Sequence, residues 1–238
     1  MNRQAMLEYS SDELDAMAHA WYYYRWILGQ WRRYLLGTVL ELGAGIGNFS
    51  THLLTAPITR LILVEPAQEL CDRLRTRFQH ESCIELRNGV LEDARGDLMS
   101  SLDAVVSVNV LEHITQDLET LKTVHAVLRP GGMLLVFVPA LHFLYGSMDR
   151  TFGHVRRYTK KTLTDRLHEA GFSPLRIKYM NLLGVVPWLL AGRVFRRRTL
   201  TPAMVLLSDR IIIRLTSKLE AVIEPPCGQS VMAIATKA

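Results

Sequence analysis

The segment Val39 to Ser50, reading VLELGAGIGNFS, constrains this chain more than any other. An apolar run ends on an acid, Glu41, and passes into glycines at every second position, Gly43, Gly45 and Gly47, before helix-forming residues resume. Without a Cβ, these positions can bend tightly and let a ligand lie against bare backbone. A helix that opens just after such a bend offers unpaired N–H groups to a polar or anionic ligand group. The pattern predicts a strand, a tight bend and a helix, with a ligand at the strand's carboxyl end.

The kind of ligand follows from two details. A dinucleotide fingerprint reads G-x-G-x-x-G, its third glycine lying where helix meets strand. Here that position is Asn48, and Glu41 stands at the strand end, where a carboxylate faces a pyrophosphate unfavourably but attracts a cation. The second strand, LILVEP, ends in Glu65 and Pro66, and an acid there commonly takes the ribose hydroxyls of an adenosine ligand. The glycine segment resembles the first motif of the class I S-adenosylmethionine (SAM)-dependent methyltransferases. That resemblance implies SAM rather than NAD as cofactor, held by Glu41, Gly43, Ala44, Gly45, Gly47, Asn48, Glu65 and Pro66.

Apolar runs alternate with amphipathic stretches, as in β-α-β units. Strands are predicted at about 38–42, 60–65, 83–87, 102–109, 133–138, 174–179 and 230–236, and helices at about 46–55, 67–79, 115–128 and 159–170. In the helix at 67–79, Leu70, Leu74 and Phe78 fall at helical spacing. Gly131-Gly132 is expected to end a helix and turn into the fifth strand. With 238 residues, 49% of them hydrophobic, the chain can bury one sizeable core. The expected fold is α/β: a Rossmann-like, doubly wound, seven-stranded sheet with an N-terminal helix and a helical cap inserted before the last strand. The expected divisions are an N-terminal helical lid at 1–36, a SAM-binding core at 37–180, a cap over the substrate at 181–229 and a final core strand at 230–238. The family resemblance further implies that this last strand runs antiparallel beside the fifth.

Further motifs extend the resemblance over roughly residues 20–180. NVLEHI, Asn109 to Ile114, follows the fourth strand and looks like the post-strand motif of the small-molecule branch. It would set Asn109 near the methionine part of SAM, with Glu112 and His113 near the reaction pocket. In NGVLED, Val90 stands where the family often has an acid for the adenine amino group, so adenine recognition falls to backbone around Val90 and Leu91, or to Glu92 or Asp93. The block LYGSMDRTFGHVRRYTKKTL, with the aromatic N-terminal segment, looks like a bacterial group of methyltransferases that share a D-R-x-x-G-H-x-R-R-Y loop. In that group an Asn-Tyr-x-x-Trp motif precedes the core; here Tyr22 replaces the Asn, while Tyr23 and Trp26 match, making Tyr23 the expected aromatic lid over the cofactor. Within the loop, Asp149, His154, Arg156, Arg157 and Tyr158 are five polar side chains in a short span. His154, His113, Arg157 and Tyr158 are the catalytic candidates: a histidine to take a proton, arginines to clamp a carboxylate or phosphate. A purely structural network is the competing account of this loop.

Charge is unevenly spread: residues 1–149 carry about −6 and residues 150–220 about +11, including Arg196-Arg197-Arg198. That favours an anionic substrate or a nearby anionic surface. The apolar, Gly- and Pro-broken stretch MNLLGVVPWLLAGRVF, flanked by arginines, also permits peripheral membrane contact. The three cysteines are far apart, with no C-x-x-C and no histidine cluster in the sequence, so no metal site is expected. The first fifteen residues are too polar for a signal peptide and no apolar run reaches eighteen residues, which points to the cytoplasm. The expected function is methyl transfer, preferably to oxygen, on a small anionic molecule or a lipid or glycolipid precursor. Nucleic acid is disfavoured, because NVLEHI stands where amino-group methyltransferases carry Asn/Asp-Pro-Pro-aromatic. An RNA methyltransferase, a SAM-binding protein without methyl transfer and an NAD-dependent oxidoreductase are the alternatives. Oligomeric state is left open.

Overall fold

The computed structural model describes residues 11–238. Seven strands, β1 (Gly37–Leu42), β2 (Ile58–Glu65), β3 (Ile84–Asn88), β4 (Leu102–Val108), β5 (Leu128–Pro139), β6 (Phe172–Met180) and β7 (Ser230–Lys237), form one sheet. Their order is β3-β2-β1-β4-β5-β7-β6. The chain steps outward from β1 to β3, returns to β4 and steps outward on the other side. The order thus reverses between β1 and β4, which opens a crevice at their carboxyl ends. As the family resemblance implied, β7 lies beside β5 and antiparallel to it, Met133 opposite Thr236 and Pro139 opposite Ser230.

The period-two rule sorts the strand residues onto two faces. Leu40, Ile62, Val64, Val105, Leu134 and Val136 pack on one side, beneath α5 (Leu91–Leu98), α6 (Asp117–Val127) and α8 (Lys160–Glu169). Val39, Leu61, Leu63, Val106, Leu135 and Phe137 pack on the other, beneath α2 (Trp21–Trp31), α3 (Ser50–Leu53) and α4 (Gln68–Arg77). Strands buried on both faces read as continuous apolar runs, which is why they stand out in the sequence.

Several boundaries differ from expectation, each for a local reason. The helix predicted at 46–55 is only α3, because Gly43, Gly45 and Gly47 adopt φ of +70°, +58° and +83° and hold 43–49 as a turn. The N-terminal helix is two pieces, α1 (Ser11–Met17) and α2, broken at 18–20; residues 1–10 of the expected lid lie outside the described residues. The predictions left out α5, whose only large apolar residues, Leu91 and Leu98, are seven positions apart, too sparse for a helical stripe. The short α7 (Ser147–Thr151) likewise falls in a stretch predicted as loop. Gly131-Gly132 does not end a helix. Helix α6 stops at Val127, Leu128 already pairs with Leu102, and residues 129–132 bulge out before Met133 pairs with Ala104.

Between β6 and β7 lie α9 (Val185–Leu189), extended by a π-type turn at Leu190–Val194, then α10 (Pro202–Ser208), which runs through a second π-type turn at Asp209–Ile213 into α11 (Arg214–Leu219). Thr201 caps α10 with its hydroxyl on the Met204 N–H, and Pro202 occupies the first turn, where its missing N–H costs nothing. Val186, Val194, Phe195, Leu207, Ile211 and Leu215 are exposed on these helices, beside Arg196, Arg197, Arg198, Arg210 and Arg214. No helix among the described residues is long and apolar enough to cross a membrane.

Candidate active site

A cavity of about 980 Å³ occupies the crevice at the carboxyl ends of the central strands, walled by α1 and α2 on one side and the 181–229 helices above. Glu41, Gly43, Ala44, Gly45, Asn48, Glu65, Pro66, Val90, Leu91, Asn109 and Tyr23 all border it. The glycines divide their work. The Gly45 N–H donates to Glu65 Oε2 (2.8 Å), tying the bend to the end of β2, while the Ala67 N–H holds Oε1 (3.0 Å). A Cβ on Gly43 would lie 2.7 Å from the Val110 side chain, so this glycine lets the post-β4 turn close against the bend. Gly47 does not border the cavity, contrary to its expected place among the cofactor residues. A Cβ there would come within 2.5 Å of Phe78, so its role is to seat α4 against the turn.

Glu41 is buried at 3% exposure and accepts the Ser50 hydroxyl. Burial pushes its carboxyl up to about 8, with Ser50 opposing and Glu65 adding to the rise. A buried carboxylate without a cation is costly, so this acid fits a positively charged ligand group. Glu65 is also raised by burial, against the two backbone N–H bonds that favour its charge. Asn48 is buried, its Nδ2 donating to the Leu14 carbonyl of α1 (2.7 Å). Val90 and Leu91, expected near adenine, border the cavity, Leu91 with its side chain in the core, and Glu92 Oε1 accepts the Thr120 hydroxyl (2.8 Å).

Tyr23 comes to the site through a contact invisible in the sequence. Asp209, in the turn after α10, accepts the N–H groups of Tyr22 (2.9 Å) and Tyr23 (2.8 Å), capping α2 from 186 residues away. No side chain near α2 in sequence does this. Asn109, left-handed at φ +53°, donates its Nδ2 to the Tyr23 hydroxyl (3.1 Å), and the Tyr23 ring meets Phe137 edge-on at 5.6 Å. Burial raises the Tyr23 phenol well above its ordinary value.

The cavity wall also gathers Glu112, His113 and His154, whose rings and carboxyl converge although His154 lies 41 positions beyond His113. The two imidazoles meet edge to face at 4.7 Å, and His154 Nε2 lies 3.9 Å from Glu112 Oε1. Asp149, fully buried, organises the loop: its Oδ2 accepts the Gly146 N–H (2.9 Å), and its Oδ1 faces Arg157 Nε (2.7 Å) and His154 Nδ1 (2.9 Å). Burial disfavours its charge, but His154 and Arg157 prevail and hold it below the usual carboxylate range. An ionised carboxylate only accepts, so His154 carries a proton on Nδ1 and turns Nε2 toward Glu112. Burial, reinforced by His154, pushes His113 down to about 3, so it is neutral near pH 7.

The remaining loop residues sit otherwise than expected. Arg156 and Arg157 do not form a free anion clamp: Arg156 pairs with Asp117, and Arg157 pairs with Asp149 and donates Nη1 to the Ala140 carbonyl (2.8 Å). Among the described residues Arg157 Nη2 has no hydrogen-bond partner; its guanidinium lies over the Trp188 ring, whose Nε1 is equally unpaired, and both residues border the cavity. Tyr158, expected at the reaction centre, lies in the core below it, its hydroxyl donating to Asp117 Oδ2 (2.8 Å). Asp209 carries no sequence signal, whereas Trp188, the one tryptophan in a broken apolar stretch, offered a weak one.

This sheet order, with a buried acid beside a glycine bend and a second acid at the next strand end, defines a class I SAM-dependent methyltransferase fold. The profile of the methyltransferase-domain family matches residues 10–177, and the chain belongs to that family, whose cofactor is SAM. A SAM-dependent methyltransferase from Thermotoga maritima superposes with a TM-score of 0.66 at 20% identity, over 99% of both chains. In sequence the chain is 29% identical over 136 residues to a Mycolicibacterium smegmatis protein named for SAM-dependent methyl transfer, covering 56% of this chain and 51% of that one. It is 34% identical over 110 residues to the bovine mitochondrial ubiquinone biosynthesis O-methyltransferase, covering 41% and 27%. Across the curated relatives it matches, the chain spans from 3% to 51% of their length.

Proposed function

We propose that this chain transfers the methyl group of SAM to an oxygen of a small amphiphilic acceptor, one with an apolar body and a hydroxyl or anionic head, met at a membrane surface. The observation that carries this reading is the cavity. Its lining takes in the glycine bend, Glu112, His113 and His154, and also Leu200, Met204, Val205 and Ile212, together with the exposed Leu207 and Ile211. A polar head would meet the reaction end while its apolar body lies under the helices. The unpaired Arg157 Nη2 and Trp188 Nε1 are donors without acceptors, which suits an anionic or oxygen-rich head. Outside, exposed apolar side chains interleaved with arginines favour an anionic lipid surface.

SAM supplies an electrophilic methyl group. This chain's residues supply the rest. Glu41 compensates a cationic group of the cofactor, Glu65 holds the bend and takes hydroxyls, and Tyr23 closes over the site. Alignment of the acceptor oxygen with the methyl and exclusion of water are the main contributions to rate. The His154 and Glu112 end draws the proton from a hydroxyl acceptor, with Asp149 and Arg157 as positioning residues; a carboxylate acceptor needs only orientation.

The test is S-adenosylhomocysteine formation with hydroxylated and carboxylated amphiphiles, with and without anionic vesicles. Turnover that rises with vesicles and falls at least about 100-fold in His154→Ala supports the reading. Turnover only on soluble polar acceptors refutes the lipid part, and tight SAM binding with no product from any acceptor refutes methyl transfer.

A further inference from the structure

We propose that Glu112, His113 and His154 bind one divalent transition-metal ion of the zinc type, at the point where the acceptor oxygen arrives. The binding stands on its own geometry; its catalytic use rests on the oxygen-acceptor reading above. One ligand atom from each residue lies within 4.8 Å of the others, with His154 Nε2 3.9 Å from Glu112 Oε1. Bonds of about 2.0–2.2 Å to a tetrahedral ion set its ligand atoms about 3.3–3.5 Å apart. The three side chains thus need to close by up to about 1.5 Å.

Three observations point to a cation rather than to a packed polar core. Glu112 is fully buried, yet among the described residues neither carboxylate oxygen has a hydrogen-bond partner. Native proteins rarely leave such a group unsatisfied, and a coordinated ion is one of the few remedies. His154 already has the support that metal-bound histidines have, with Nδ1 held by the Asp149 carboxylate, which fixes the tautomer and aims the Nε2 lone pair inward. Two imidazoles and one carboxylate are also a donor set that catalytic zinc uses, with a fourth position left open. The sequence hides the site, because an adjacent Glu-His and a histidine 41 positions later match no ligand spacing. The fold brings them together across β4 and the loop after β5.

With the ion bound, the His154 lone pair is spent on it and the acceptor oxygen takes the open position. The ion's charge lowers the pKa of that O–H, whose proton passes to water. The oxygen then bonds to the methyl carbon, the carbon–sulfur bond breaks, and its electron pair returns to sulfur, leaving a neutral thioether.

The experiment is titration of chelator-treated full chain, free of SAM and acceptor, with Co²⁺ read by its visible absorption and displaced by Zn²⁺. One equivalent should bind at micromolar concentration or below. Glu112→Gln and His154→Ala should each weaken it at least about 100-fold, and Asp149→Asn about 10–100-fold. His80→Ala, at an exposed histidine, should leave it unchanged. Wild-type chain that takes up no Co²⁺ or Zn²⁺, or binding that survives in folded Glu112→Gln and His154→Ala, overturns the site. Should a variant fail to fold, X-ray absorption of the wild-type zinc complex decides: two imidazoles and one carboxylate support the site, and any other ligand set overturns it. Metal at these side chains without methyl transfer to any oxygen would remove the acceptor reading alone, and methyl transfer by metal-free protein would remove the metal's catalytic use alone.

Discussion

Lowering the pH from 8 to 6 should weaken SAM binding about 25-fold, roughly 2 kcal/mol, because of Glu41. Burial pushes its carboxyl up to about 8, so the donor-free protein near pH 6 holds the neutral acid. A cationic ammonium group binds the carboxylate form, so binding there must expel a proton. Below the carboxyl's pKa the affinity falls tenfold per pH unit. The sign is fixed by the direction of the shift: a raised acid loses its proton only as pH rises toward 8, and cation affinity grows over that window. SAM's own α-amino group titrates at about 7.7–8.0, which halves the gain at the upper end and reduces about 50-fold to about 25-fold. Calorimetry in two buffers of different ionisation enthalpy measures both affinity and protons. About one proton should be released per SAM at pH 6 and almost none at pH 8. Glu41→Gln, of the same shape but without the charge, should bind at least about tenfold more weakly at pH 8 and lose the slope between pH 6 and 7. Wild-type affinity unchanged across this range, with no proton release, would refute the assignment of Glu41 as the cation's counter-charge.

Gly47→Ala meets Phe78 at 2.5 Å and a φ of +83°, and should cost about 2–4 kcal/mol in chemical denaturation. Asp209→Ala strips the Tyr22 and Tyr23 N–H groups of their acceptors. It should cost about 1–2 kcal/mol, speed hydrogen exchange at the start of α2 and weaken SAM binding through the displaced Tyr23. Tyr158→Phe should lose about 1 kcal/mol with the Asp117 bond but keep kcat within about twofold, as a core residue would; a hundredfold loss of kcat would return Tyr158 to the reaction centre.

The parts of this protein legible in its sequence are those encoded by local pattern. Doubly buried strands appear as apolar runs, and the bend of β1 appears as three glycines, because each restriction acts on the residues that carry it. Even there, sequence could not say that Gly45 faces the cavity while Gly47 faces Phe78, since the two differ only in what folds against them. The loop at 144–163 was legible as a dense polar cluster but not in its wiring. Whether Arg157 faces a substrate or Asp149, and whether Tyr158 points into the site or onto Asp117, depends on which side of the sheet each residue reaches.

Local backbone preference and hydrophobic periodicity determined the strands and the glycine bend after β1, since these act between residues a few positions apart. Only tertiary packing decided that Asp209 caps α2 and sets Tyr23 in place, and that Glu112, His113 and His154 share one buried corner. Those contacts join residues tens to hundreds of positions apart. Their energies come from charges and hydrogen bonds removed from water together, a condition that arises only once the chain has closed around them.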